Sequence, residues 1–164
     1  MNDKQIAEID LLALLHQLAD ASGQAIMPHY RTALVVDNKM GDAGFDPVTH
    51  ADRAAELVMR QLLAQIAPHH GIIGEEFGRK RDDAKFVWVL DPIDGTRAFM
   101  SAMPTWGTLI ALLEDGQAVL GAVDQPFLKE RFFGNGEQSW MRSASGQSNL
   151  PEACDTGMNV DQCD

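Results

Sequence analysis

Three stretches of the 164-residue chain place carboxylates where an apolar segment begins or ends. They are Asp46-Pro47-Val48-Thr49-His50-Ala51-Asp52, Gly74-Glu75-Glu76 and Asp91-Pro92-Ile93-Asp94-Gly95-Thr96. In the third, a buried strand runs into Asp91, Pro92 forces a turn, Asp94 follows and Gly95 lets the backbone approach a ligand closely. Carboxylates gathered at a strand end repel one another unless a cation lies between them. Oxygen donors without cysteine or clustered histidine point to Mg²⁺ or Mn²⁺ rather than Zn²⁺. Gly95 and Thr96 can open a short helix through Arg97-Ala98-Phe99, whose first amides suit phosphate oxygens. Carboxylates, a divalent ion and a helix start together indicate phosphoryl chemistry. Each piece also has a plainer reading. Asp-Pro-x-Asp-Gly is a common turn, Glu75-Glu76 can be a solvated pair, and Thr49 with Asp52 is a helix cap. The combination in this order is what argues for a site.

The elements that must position these groups follow from periodicity. Ile6, Ile9, Leu12, Leu15, Leu18 and Ile26 mark one face of an amphipathic helix over about residues 4–30. Residues 33–36 read as a short strand and 38–45 as an exposed loop. Thr49 caps a second helix that runs to Pro68, with Ala51, Ala55, Val58, Leu62 and Ile66 on its apolar side. Ile72-Ile73 forms a brief strand ending at Gly74, and residues 79–85 a charged loop. Residues 86–90 are a strand buried on both faces. Residues 106–113 and 117–123 flank Glu114-Asp115-Gly116, a hairpin signal, and residues 129–133 make a further strand. Helices first and then strands with short connections predict α+β: two N-terminal helices packed on a mainly antiparallel sheet. Residues 1–134 form one domain. From residue 135 Gly, Ser, Asn and Gln dominate, and residues 135–164 are expected to be an irregular or disordered tail.

Composition narrows the function. With 13 Lys+Arg against 24 Asp+Glu the net charge is −11, which argues against coating nucleic acid or an anionic membrane. An acidic protein can still handle an anionic substrate if metal ions supply local positive charge. No apolar run is long enough to span a bilayer, and the N-terminus lacks the pattern of a signal peptide. Cys154 and Cys163 are two late cysteines, read as free thiols of a cytoplasmic protein rather than a disulfide framework. No P-loop occurs. Asp91 and Asp94 have two residues between them, unlike the Asp-x-Asp of phosphatases that form an aspartyl-phosphate. His69-His70 lacks further ligands for a zinc site.

The three stretches, with Trp88-Val89-Leu90 leading into the third, resemble the inositol monophosphatase family. Those enzymes are Mg²⁺-dependent phosphomonoesterases with a layered αβαβα fold, and the resemblance covers roughly residues 6–134. Arg97-Ala98-Phe99-Met100-Ser101 and Pro104-Thr105-Trp106-Gly107-Thr108 are closest to its histidinol-phosphatase branch. The resemblance implies Glu75, Asp91, Asp94 and the Ile93 carbonyl as metal ligands. It implies that Gly95 and Thr96 amides hold the phosphate, with Arg97 at the pocket rim. Asp52 and Thr96 would orient or deprotonate the attacking water, with Glu76 and Lys39 beside the ligands. A small phosphorylated substrate, histidinol phosphate first and inositol 1-phosphate as the alternative, is implied, and a homodimer is the family's common assembly. The family's later Trp-Asp-x-Ala-Ala-Gly motif does not occur here. The chain is therefore expected to be the N-terminal portion of such an enzyme, with a non-catalytic remnant that binds metal weakly as the competing reading.

Overall fold

The computed structural model describes residues 10–32, 36–38 and 47–149. Helix α1 spans Leu11–Ile26, α2 His50–Ile66 and α3 Thr96–Met100. The strands are β1 Val36–Asn38, β2 Pro47–Thr49, β3 Gly71–Gly74, β4 Gly78–Lys80, β5 Phe86–Asp94, β6 Gly107–Glu114, β7 Gln117–Gln125, β8 Glu130–Gly134, β9 Ser139–Ser143 and β10 Gly146–Asn149. The long strands form one sheet in the order β10-β9-β8-β7-β6-β5-β3-β4, and β1 pairs with β2 separately. Only the β3–β5 pairing is parallel within that sheet. The predicted α+β architecture, two helices on a mainly antiparallel sheet, is the observed one.

The helices cover one face. Leu14, Leu15 and Leu18 of α1 and Met59 and Leu63 of α2 pack against Ile72, Trp88, Leu90, Ile110, Leu112 and Phe133 of the sheet. A second cluster, built from Ile26, Tyr30, Ala51, Ala55, Ile93, Phe99 and Trp106, lies beneath the strand-end carboxylates. On the other face Val89, Leu109, Ala111 and Phe132 are half-buried and Val123 is 41% exposed. These residues line a hollow of about 710 Å³. Val87 on this second face is nonetheless buried, so residues 86–90 are enclosed on both sides, with Phe86 and Val89 half-buried.

The α1–β8 seam is ionic. Arg131, almost fully buried, donates to Asp124 and to Asp20, both at 2.6 Å, and to the His16 carbonyl at 3.2 Å. At the opposite end of β5, the Trp88 indole donates to His70 Nδ1 at 3.0 Å.

Several boundaries differ from the expected ones. Helix α1 starts at Leu11 because Asp10 is extended and its carboxylate caps Ala13 N–H at 2.9 Å. It stops at Ile26 because Pro28 permits only a 3-10 turn, Met27–His29. The strand expected at residues 33–36 is found at Val36–Asn38, and residues 33–35 and 39–46 lie outside the described residues. The first two residues of the expected charged loop, Arg79 and Lys80, instead join Gly78 in an exposed edge strand paired with β3. The expected irregular tail instead adds two strands. Ser139–Ser143 pairs with β8, and Trp140 stacks on Phe133 with ring centroids 5.5 Å apart. Gly146 then turns the chain at φ 127° into β10. Residues 150–164, with Cys154 and Cys163, lie outside the described residues. Among the described residues no helix is long and apolar enough to cross a membrane.

Candidate functional site

The site is built where β3 and β5 end and α2 begins. On α2, Thr49 and Asp52 form a reciprocal capping box. Asp52 accepts from the Thr49 amide at 2.8 Å and from its hydroxyl at 2.5 Å, and Ala51 N–H donates to Thr49 Oγ1 at 3.1 Å. The cap explains why Asp52 is only 2% exposed yet tolerated in the core. Its plain reading as a helix cap is therefore correct. The same contacts hold its carboxylate near Asp91.

Strand β5 does not turn at Pro92. It continues to Asp94 with a bulge between Asp91 and Asp94, the place in a central strand where a residue without an N–H fits. The Pro92 carbonyl accepts from Thr108 Oγ1 at 2.7 Å, and Ser22 of α1 reaches Thr108 at 3.1 Å. The chain reverses at Gly95, whose φ of 84° suits glycine. A Cβ there would also sit 3.0 Å from the Thr105 carbonyl. Helix α3 begins at once, with Ala98 and Phe99 N–H groups donating to the Gly95 carbonyl at 2.8 and 3.0 Å.

Glu75 follows β3 and is tied beside β5 by its amide, which donates to the Leu90 carbonyl at 3.1 Å. Its side chain hydrogen-bonds Asp91. Burial first, then Glu75, then the charges of Asp94 and Asp52 push the Asp91 carboxyl up from its ordinary 3.8 to about 8. Glu75, Asp94 and Asp52, the other predicted carboxylates, are therefore each close enough to Asp91 to disfavour its charge. The raised value leaves the proton on Asp91.

The donor set fits a hard divalent cation. Asp91 Oδ1 is buried with no hydrogen-bond partner among the described residues, an acceptor that a cation would satisfy. As the side chains stand, no three His, Cys, Asp or Glu among the described residues are gathered tightly enough to enclose an ion. The Ile93 carbonyl accepts from Thr96 Oγ1 at 3.1 Å, which leaves its second lone pair for a ligand role. Thr96 is half-buried, while Asp94, Gly95 and Arg97 are exposed on the rim. Glu76 lies next to Glu75 and is half-buried. Lys39 lies outside the described residues.

Sequence reasoning passed over Glu56 and Arg60, which lie under the Glu75-Glu76 segment. A signal was available. Glu56 is four residues beyond Asp52, so on a helix it shares that face with Ala55 and Met59.

The pattern of the inositol monophosphatase family matches residues 8–161, so the chain belongs to that family. The match runs beyond residue 134, where the resemblance was expected to end. Among curated relatives, the chain is 46% identical over 136 residues to the bifunctional phosphatase IMPL2 of Arabidopsis thaliana, covering 80% of this chain and 38% of the relative. It is 40% identical over 130 residues to a histidinol-phosphatase of Streptomyces coelicolor, covering 76% of this chain and 47% of the relative. The solved inositol monophosphatase of Zymomonas mobilis superposes with a TM-score of 0.67 at 42% identity, over 82% of this chain and 51% of that one. The chain thus spans less than half the length of these curated relatives and about half of that solved chain.

Proposed function

We propose that the chain carries the metal-ligating half of a Mg²⁺-dependent phosphomonoesterase that hydrolyses a small phosphorylated alcohol, histidinol phosphate first. The observation that carries this reading is the Asp91 carboxylate. It is held at the end of β5 against Glu75, Asp94 and Asp52, with one oxygen buried and unpartnered. Family membership and identity to a histidinol-phosphatase support the substrate. We place the enzyme in the cytoplasm, acting on a soluble small molecule, with a homodimer as the expected assembly.

In this reading Glu75, Asp91, Asp94 and the Ile93 carbonyl hold Mg²⁺. When bound, the ion supplies positive charge to phosphoryl oxygens and acidifies water. The remaining work falls to the chain. Gly95 and Thr96 amides, at the start of α3, lack intrahelical acceptors and orient the phosphate. Asp52, already an acceptor for two Thr49 protons, and Thr96 orient or deprotonate the attacking water. Arg97 stands at the rim, where it can meet the alcohol portion.

Identity to the Zymomonas mobilis inositol monophosphatase favours a second reading, inositol 1-phosphate as substrate. Phosphate release from histidinol phosphate and from inositol 1-phosphate, with and without Mg²⁺, separates them. Mg²⁺-dependent release supports the proposal, and the faster substrate names the branch. No release by folded protein refutes catalysis by this chain.

A further inference from the structure

We propose that Glu56 is a positioning residue for the metal site, clamping the backbone that presents Glu75. The inference rests on the reading of Glu75 as a metal ligand. Glu56 projects from α2 and is completely buried. Its carboxylate accepts three hydrogen bonds: from the Glu76 amide at 2.7 Å, from the Phe77 amide at 3.2 Å and from Arg60 Nε at 2.7 Å. Arg60 in turn donates to the Gly78 carbonyl at 2.5 Å. The two side chains therefore grip residues 76–78 from a single helix turn. Glu75 is the residue immediately before, and its own amide is tied to Leu90 on β5. The ligand is thus pinned on both sides, by β5 through its own N–H and by α2 through the next two.

The sequence makes room for this clamp. A Cβ on Gly74 would collide with the Glu56 carboxylate and stand 2.6 Å from Arg60 Nη2. Gly74 leaves the space that the charged group fills, and a side chain there would push the clamp aside. A completely buried carboxylate is a costly way to stabilise a helix, since an apolar residue of similar volume does so as well or better. A carboxylate that accepts two successive amides fixes where the chain turns. Glu56 is on the same helix face as Asp52 and four residues away. Helix α2 thereby sets one carboxylate of the site directly and a second one through the backbone.

The test uses the 164-residue chain, Glu56→Gln and Gly74→Ala. Gln keeps the shape of Glu but offers one acceptor oxygen instead of two. Gly74→Ala leaves every carboxylate intact and displaces the clamp. Two quantities are read in each protein: Mg²⁺ affinity by calorimetry, and hydrogen exchange of the Glu76 and Phe77 amides relative to that of Leu112 in the core. Both variants should bind Mg²⁺ about ten- to a hundred-fold more weakly than the unchanged chain. Both should lose protection at residues 76 and 77 while Leu112 keeps its own. General loosening of the fold would move Leu112 as well, and that result overturns the proposal. Unchanged Mg²⁺ affinity with the two amides deprotected also overturns it, as does unchanged protection. If the unchanged chain binds no Mg²⁺, the metal reading itself fails and the assignment falls with it, a result told apart because it needs no variant. Should Gly74→Ala not fold, Glu56→Gln carries the test alone.

Discussion

Asp91→Asn should make the chain more stable without Mg²⁺ and deaf to Mg²⁺. The Asp91 carboxyl is raised from 3.8 to about 8 by burial and by Glu75, Asp94 and Asp52. The folded state therefore holds a proton that the unfolded chain has released, and stability falls as pH rises from about 4 to about 8. Below that window both states are protonated and there is no penalty. Each tenfold change in proton affinity is worth about 1.4 kcal/mol, so at pH 7 the ceiling on the penalty is about 4 kcal/mol. Asp91 is only half-buried, and screening by water reduces this to about 1–2 kcal/mol. Asparagine carries no charge, and its amide can donate to Glu75 where the Asp91 proton did. Without Mg²⁺ at pH 7, Asp91→Asn should thus gain about 1–2 kcal/mol, or about 2–8 °C in Tm for a chain of this size. The gain should shrink toward pH 4. Saturating Mg²⁺ should stabilise the unchanged chain by mass action and leave the variant unmoved. Urea titrations followed by tryptophan fluorescence at pH 4.5, 7 and 8.5, with and without Mg²⁺, read all of this. A variant less stable than the unchanged chain at pH 7 without Mg²⁺, or one that gains as much from Mg²⁺, would refute the reasoning.

Arg131→Met should cost about 3–5 kcal/mol by stranding buried Asp124, and Arg131→Met/Asp124→Leu should recover most of it, as urea midpoints would report. Leu112→Ala, at a position with no exposure, should cost about 2–5 kcal/mol, whereas Val123→Thr on the open face should stay within about 0.5 kcal/mol. The His70 imidazole is held below its ordinary 6.5, by burial first and by His69 second, and it accepts the Trp88 N–H in its neutral form. Its contribution is therefore full above about pH 6.5 and lost as pH falls through the lowered value. The stability difference between the unchanged chain and His70→Gln, measured from pH 7.5 to 5, should shrink in that direction; a difference that grows would reverse the assignment.

What could be read in the sequence was whatever local chemistry decides. Thr49 followed by Asp52 at the third helical position is a capping box by spacing alone, and the structure forms it. Asp115-Gly116 dictates a tight hairpin turn, and both residues take positive φ, 49° and 80°. The apolar run before Asp91 placed the carboxylates at a strand end. Less legible were segments whose state is set by a neighbour. Gly78–Lys80 is exposed throughout and becomes a strand only because β3 offers an edge. Residues 139–149 are polar enough to suggest disorder, yet β8 recruits them through Trp140 against Phe133. Pro92 reads as a turn, but a bulge accommodates it.

Glu56 belongs to the second kind, and its case is the most instructive. Helical spacing puts it on the inward face with Ala51, Ala55 and Met59, where a charge is out of place. Read along α2 alone, Glu56 and Arg60 are an i,i+4 pair of the sort that decorates a solvated helix. The contacts that distinguish the two cases come from residues 76–78, about twenty positions on, and are made to backbone rather than to side chains. Backbone amides leave no mark of their own in a sequence. The one mark they leave indirectly is Gly74, the residue without a Cβ where the carboxylate passes. An inward-facing charge on a helix and a glycine at the end of the strand beside it are together the trace that such a clamp leaves, and neither is informative without the other.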